Sequence, residues 1–207
     1  MEVALKLGSK LGRKRNFDKD EALEKAMFLF WENGYLGTSI TELTQTLGIN
    51  KPSLYSAFGN KEQLFMSSLD FYMRKYGHPH LKKLSHPEEL PFKERLYDFM
   101  TSIAESMTDS TLPKGCLFVK TSCEGSEMIP VQITSALHNI VDDNNQFVIN
   151  VLEAEQERGE IPKEINVIEY ANFIDTMLMG MGVQAKNGAN IQSLQPIIQL
   201  TVAAIVK

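Results

Sequence analysis

The chain has 207 residues, of which 43% are hydrophobic and 23% are charged, and its formal net charge is −5. This composition is ordinary for a globular protein and excludes a collagen-like or low-complexity chain. No apolar run reaches the roughly 18 residues that a membrane-spanning helix needs, and two cysteines are too few for a disulfide scaffold. Residues 1–15 lack the apolar stretch of a signal peptide and are predicted to be a basic arm, so we expect a cytoplasmic protein.

Signals that begin and end helices are dense in the first 77 residues. Capping-box patterns, in which a short polar residue precedes Glu or Gln by three positions, begin at three residues: Asp18, Ser39 and Asn60. Glycines that can end a helix follow: Gly34, Gly48 and Gly77. Together these signals predict helices at about 18–33, 39–47 and 60–76. Asn50 as a cap and Pro52 in the first turn predict a further short helix at 51–58.

The rest of the chain is predicted to be one loop followed by helices. Residues 78–90, which are rich in His, Pro and Lys, are the predicted loop. Beyond it, apolar residues recur at helical spacing in five segments: about 91–109, 114–125, 130–158, 165–186 and 191–206. No stretch shows the sustained alternation of a half-buried strand, so the predicted fold class is all-α.

Charge is divided unevenly along the chain. Residues 1–61 hold nine Lys and Arg against seven Asp and Glu, whereas residues 62–207 hold 12 against 19. Because the protein is acidic overall, any contact with nucleic acid should be local and confined to residues 1–61.

The short helix at 51–58 has a polar face suited to the major groove of DNA. If its apolar residues face the core, helical geometry places the following residues on the opposite side, with Lys51 at the edge: Pro52, Ser53, Tyr55 and Ser56. Short side chains allow the backbone to approach the bases, and a tyrosine hydroxyl can reach a phosphate. A helical corner with an ordinary polar face would show the same spacing.

Further candidate DNA contacts flank this helix. Thr38 and Ser39 open the second helix and Lys61 opens the fourth, where free N–H groups and the helix dipole favour phosphate. A basic arm could enter a neighbouring minor groove through three residues: Arg13, Lys14 and Arg15.

Residues 17–65 contain a series of short segments in a characteristic order: Ala26-Met27-Phe28-Leu29-Phe30, Gly34-Tyr35, Thr38-Ser39-Ile40, Leu47-Gly48-Ile49, Ser53-Leu54-Tyr55, Phe58 and Lys61-Glu62-Gln63-Leu64-Phe65. With them the stretch resembles the DNA-binding domain of the TetR family of bacterial transcriptional regulators. Ser56 and Ala57 depart from the aromatic residue and histidine of many members, which leaves the base preference open.

The resemblance implies a helix-turn-helix DNA-binding domain with a basic N-terminal arm at 1–61 and a helical ligand-binding and dimerisation domain at 62–207. It implies a homodimeric repressor that binds a palindromic operator in double-stranded DNA and releases it when a small-molecule effector binds. It also matches Thr38, Tyr55 and Lys61 to phosphate contacts. Five residues fall on its recognition-helix positions: Lys51, Pro52, Ser53, Tyr55 and Ser56.

The last two predicted helices carry apolar residues beyond a single stripe, which indicates burial on more than one side. A symmetric four-helix dimer interface supplies that burial, and the core of a single chain would also supply it. The predicted interface consists of eight residues: Ile174, Met177, Leu178, Met181, Leu194, Ile197, Ile198 and Val202.

Methionine and phenylalanine in the middle helices could line an adaptable pocket for a largely apolar effector. Plain core packing would give the same pattern. The candidate lining residues are Phe99, Met107, Cys116, Phe118, Phe147 and Met177.

The remaining reactive residues predict neither an enzyme nor a metal site. Cys116 and Cys123 would lie about 10.5 Å apart on one helix, too far for a disulfide, although a thiol- or electrophile-sensing regulator stays open. The histidines of the loop fit no zinc spacing: His78, His80 and His86. Nucleophile elbow, P-loop, dinucleotide fingerprint and HExxH are all missing from the sequence, so we expect no catalysis and no cofactor. The sequence also fits a helical protein-binding adaptor, or an activator with the same fold.

Overall fold

The computed structural model describes residues 18–85, 90–125 and 127–206, and these residues form an all-α protein without strands. The α-helices are α1 Lys19–Gly37, α2 Ile40–Leu47, α3 Lys51–Phe58, α4 Lys61–Tyr72, α5 His78–Leu81, α6 Phe92–Thr108, α7 Leu117–Ser122, α8 Val131–Arg158, α9 Val167–Lys186 and α10 Ile191–Ile205. The predicted fold class is therefore confirmed. In this part of the chain, every helix is too short or too polar to cross a membrane.

Two expectations about the segment after α4 were wrong. Gly77 does not end a helix in the left-handed conformation, because α4 continues through a π-helical turn at Met73–Gly77 directly into α5. The predicted loop at 78–90 begins instead with helical backbone, α5 and a 3-10 turn at Lys82–Leu84. Tyr76, Leu81 and Leu84 pack against the two hydrophobic cores, and this packing holds the His- and Lys-rich segment helical.

The N-terminal helices pack around one hydrophobic core that continues into the second half of the chain. Met27, Phe30 and Trp31 of α1 lie in it, together with Phe65 of α4. The same cluster includes Leu117 of α7 and two buried residues of α8, Ile133 and Leu137. The domain boundary predicted at residues 61 and 62 falls in the first turn of α4 and stays a prediction.

Reciprocal caps fix the ends of the short helices α2 and α4. The Ser39 N–H donates to the Glu42 carboxylate at 2.8 Å, and the Glu42 N–H donates back to the Ser39 hydroxyl at 3.1 Å. Asn60 and Gln63 make the equivalent pair. Gly48, at φ 64°, turns the chain between α2 and α3 in a conformation that glycine adopts without strain. These local bonds set the geometry of the helix-turn-helix.

A second core joins α6, α8, α9 and α10, and it contains a buried ion pair. The Arg95 guanidinium lies 2.7 Å from the Glu155 carboxylate, and both side chains are only 3% exposed. Arg95 also donates to the carbonyls of Leu84 and Leu90. This arginine therefore ties α6 to α8 and to the segment before α6.

Candidate nucleic-acid interface

Helix α3 presents the polar face that its sequence predicts. Leu54 is fully buried and Phe58 is buried, so the helix is anchored on one side. Of the five predicted DNA-facing residues, Ser53 is half-buried. The other four are exposed: Lys51, Pro52, Tyr55 and Ser56. The Asn50 side chain accepts from the Ser53 N–H at 2.9 Å and fixes the start of the helix. A rigid helix therefore holds this small polar surface toward solvent.

The predicted DNA contacts outside α3 differ in their exposure to solvent. Ser39 is exposed, and the half-buried Lys61 holds its ammonium 4.3 Å from the centroid of the Tyr35 ring. Burial lowers the pKa of Lys61. Thr38 is fully buried and its hydroxyl donates to the Gly34 carbonyl at 2.7 Å, which does not favour the predicted phosphate contact. The predicted arm contacts lie outside the described residues: Arg13, Lys14 and Arg15.

A carboxylate from the second half of the chain binds the end of α1. Gly34 has φ 80° and ψ 175°, which interrupts the helix and frees the N–H groups that follow. The Glu124 carboxylate accepts from the Tyr35 N–H at 3.0 Å and from the Leu36 N–H at 3.3 Å. Lys120, one turn before it, donates to the Glu32 carbonyl. We call Lys120 and Glu124 the α1 clamp.

The α1 clamp carries charges that are only partly solvated. Burial raises the pKa of Glu124, although the two N–H donors oppose this shift. Burial, followed by the nearby Lys186, lowers the pKa of Lys120 to about 8. Sequence reasoning missed the clamp because its partners are 88 and 89 residues apart. The glycine at position 34 was the one signal, and it predicted only a helix end.

A cavity of about 140 Å³ lies between α4, the helices after it and α9. Four of the six predicted lining residues do line it: Phe99, Met107, Cys116 and Phe118. Phe147 and Met177 pack at the second core and are not among the residues that line this cavity, so their contact with a ligand stays a prediction. Helices α8 and α9 turn neighbouring positions toward the cavity, among them Asn145 and Asp175.

Both cysteines are free thiols with different surroundings. Cys116 lines the cavity and accepts a hydrogen bond from the Tyr72 hydroxyl at 3.2 Å, whereas Cys123 is exposed at the end of α7. Burial raises the pKa of the Cys116 thiol. A protonated thiol is a poor nucleophile, so this position does not favour a thiol-sensing regulator.

The histidines of the segment after α4 do not converge. His80 Nδ1 lies 2.9 Å from the Ser102 hydroxyl, while His78 is exposed and His86 lies outside the described residues. Within the described ranges, no cluster of three or more His, Cys, Asp or Glu side chains could hold a metal ion.

The predicted dimer residues on α9 and α10 mostly face inward. Five of the eight are 0–3% exposed within the subunit's own core and offer little surface to a partner, so their place in a dimer interface stays a prediction: Ile174, Met181, Leu194, Ile198 and Val202. Met177, Leu178 and Ile197 are half-buried. The opposite faces of the two helices expose large apolar side chains, including Phe173, Val183 and the 72% exposed Leu200. An interface on these helices would use that outer face.

The sequences of both halves of the chain match known regulator domains. Residues 22–67 match the family model described as bacterial regulatory proteins, tetR family, and residues 93–199 match the tetracyclin repressor-like, C-terminal domain. The HTH-type transcriptional repressor ComR of Escherichia coli K12 is 34% identical over 190 residues, which are 92% of this chain and 90% of ComR. The chain belongs to the TetR family of bacterial regulators. It is accordingly a DNA-binding transcriptional regulator and not an enzyme.

More TetR-family proteins match along nearly the whole chain. The HTH-type transcriptional repressor BdcR of Escherichia coli K12 is 26% identical, over 88% of this chain and 86% of BdcR. A cysteine-substituted variant of the regulator CifR, solved in complex with 26-base-pair double-strand operator DNA, is 29% identical. It superposes with a TM-score of 0.86 over 94% of this chain and 100% of that chain. The helix-turn-helix and the C-terminal helices therefore share one arrangement with a regulator solved in complex with operator DNA.

Proposed function

We propose that this TetR-family protein is a repressor that binds a palindromic operator as a homodimer and releases it when a small molecule occupies the cavity. The observation that carries the proposal is the exposed polar face of α3, anchored from below by Leu54 and Phe58. The names of ComR and BdcR as repressors and the operator complex of CifR support it.

In the DNA complex, α3 enters the major groove. Ser56 and the start of the helix come close to base edges, and the half-exposed Tyr55 reaches a phosphate with its hydroxyl. Lys51 and Lys61, at the first positions of α3 and α4, add positive charge where free N–H groups already attract phosphate. The bases that these side chains select stay open.

The homodimer forms through the outer faces of α9 and α10. Phe173 and Leu200 expose apolar surface whose burial is favourable, and a two-fold axis brings the same residues of a second copy against them. Two recognition helices one turn of DNA apart then read two half-sites.

The route from effector to operator runs through α7. Phe118 and Val119 on one side of this helix line the cavity. Lys120 and Glu124, in the same segment, bind the backbone of α1. A displacement of α7 by a ligand therefore moves α1 and, through the packing of α1 against α2, the orientation of α3.

The test is a fluorescence-anisotropy titration of the protein with DNA from upstream of its own gene, at several salt concentrations. The native protein should bind with an affinity that falls steeply as salt rises. Lys51→Ala should weaken binding and reduce the salt slope by about one. Lys163→Ala, which removes an exposed lysine far from α3 in sequence, is the matched control and should bind as the native protein does. Equal effects of the two substitutions would contradict the proposed DNA face.

A further inference from the structure

The cavity contains a carboxylate that has no counter-ion among the described residues. Asp175 of α9 lines it, and no side chain or N–H group of the described residues donates to this carboxylate. Burial alone accounts for the raised pKa of Asp175, with no neighbouring charge contributing. An unpaired carboxylate that is partly removed from water costs stability, and a ligand that supplies a positive charge removes part of that cost.

A second acceptor lines the same cavity. The Oδ1 atom of Asn145 on α8 is buried and has no hydrogen-bond donor among the described residues. The amide nitrogen of Asn145 donates to the Asn172 side chain at 2.6 Å, which fixes the orientation of the group. Asn145 therefore offers an acceptor, and a ligand with an N–H group satisfies it.

The remaining titratable side chains of the cavity wall do not balance Asp175. Burial, and then the charge of Lys83, lowers the pKa of His80, so the imidazole is neutral at pH 7. Burial raises the pKa of both Cys116 and Tyr72, which stay protonated. Among the described lining residues, Asp175 thus carries the net charge of the cavity.

The aromatic rings and the volume of the cavity limit the size and the chemistry of the apolar part of the ligand. Four aromatic side chains line the cavity and can face a cation: Tyr72, Tyr76, Phe99 and Phe118. The volume of about 140 Å³ resembles that of a cavity able to hold one benzene ring. An apolar body of about one ring fits, and a bound carboxylate would repel Asp175.

We propose that the cavity binds a small organic cation that joins a one-ring apolar body to a primary ammonium group, with Asp175 and Asn145 receiving the ammonium. This inference deepens the proposed function, since it names the chemical class of the effector. It replaces the largely apolar effector expected from the sequence with one that is charged at one end.

Three probes of the same size test the charge requirement by isothermal titration calorimetry at pH 7: 2-phenylethylamine, 2-phenylethanol and phenylacetate. The amine should bind at least about tenfold more tightly than the alcohol, and phenylacetate should bind most weakly. Asp175→Asn should weaken binding of the amine by about 10- to 100-fold. It should leave the affinity for the alcohol unchanged, which also verifies that the cavity is intact. Asn145→Ala should weaken binding of the amine by a smaller factor.

Asp142→Asn is the matched control, because Asp142 is an exposed carboxylate on α8 outside the cavity lining. Its affinity for the amine should equal that of the native protein. Equal binding of amine and alcohol, an equal loss of both in Asp175→Asn, or no binding of any probe would overturn the inference.

An operator-release assay separates this inference from the proposed function. If the amine binds in an Asp175-dependent manner and the operator complex persists, the release mechanism fails and the cation site stands. If the protein binds its operator but does not distinguish amine from alcohol, the cation site fails and DNA binding stands.

Discussion

Replacing Gly34 by alanine should break the contact between the two halves of the chain. A Cβ atom at this position would lie 1.9 Å from the Glu124 Oε1 atom and 2.8 Å from its Cδ atom, so the carboxylate would have to leave. The backbone at φ 80° and ψ 175° is also one that residues with a side chain rarely adopt. Gly34→Ala therefore combines local strain with the loss of two hydrogen bonds to a charged group.

The size of the effect follows from these two contributions. Strain in this backbone region costs about 1–3 kcal/mol, and loss of the Glu124 hydrogen bonds at a partly exposed site costs about 1–2 kcal/mol more. Gly48→Ala provides the matched control, because Gly48 is also left-handed but has no neighbouring heavy atom within 4 Å of the added Cβ. We expect about 1–2 kcal/mol for Gly48→Ala and about 2–5 kcal/mol for Gly34→Ala.

Urea denaturation followed by circular dichroism measures both free energies of unfolding, at one protein concentration because assembly shifts apparent stability. Glu124→Ala completes a double-mutant cycle with Gly34→Ala. In the Glu124→Ala background the clash is absent, so Gly34→Ala should cost only the backbone strain, and the double variant should be about 1–2 kcal/mol more stable than additivity predicts. Additive effects, or a Gly34→Ala variant no less stable than Gly48→Ala, would refute the α1 clamp.

Three further predictions concern the second half of the chain. Asp175→Asn should raise the Tm of the ligand-free protein at pH 7: burial raises the pKa of Asp175, so the folded state loses stability as pH rises and the carboxyl ionises. The gain should vanish below about pH 4, where Asp175 is protonated in both states, as thermal unfolding at two pH values will measure. Arg95→Met strands the buried Glu155 carboxylate and should cost about 3–5 kcal/mol in urea denaturation, most of it recovered by also replacing Glu155 with leucine. Leu200→Arg places a charge on the proposed dimer face, and sedimentation velocity should detect monomers at concentrations where the native protein is dimeric.

The helix-turn-helix could be predicted because its signals are local. Ser39 with Glu42 and Asn60 with Gln63 lie three residues apart, and each pair forms the reciprocal cap that its spacing predicts. The exposure of Tyr55 follows from the burial of its neighbour Leu54 and the 100° rotation per residue. Such features need no knowledge of the rest of the fold.

The features that could not be predicted depend on tertiary contacts, which the local sequence pattern does not reveal. The Thr38 hydroxyl has the chemistry to donate to a phosphate, yet at the kink it donates to the Gly34 carbonyl instead. On α9 and α10 the apolar residues cover most of the circumference, so the pattern could not separate the buried Ile198 from the exposed Leu200. The helical spacing of apolar residues predicts that a second apolar face exists, but it does not predict which of the two faces is buried within the subunit.

The positions of Asp175 and Phe118 connect the proposed cation site to the proposed release of the operator. A ligand changes the equilibrium between two arrangements only by the difference in its affinity for them. A ligand that contacts both α7 and α9 has different affinities for two arrangements in which these helices are differently spaced, because dispersion contacts weaken steeply with distance. The proposed cation would lie at Asp175 on α9 and could face the ring of Phe118 on α7, so its affinity would depend on the separation of these two helices. Because the α1 clamp follows Phe118 within six residues, we expect a change in that separation to reach the DNA-binding helices through α1.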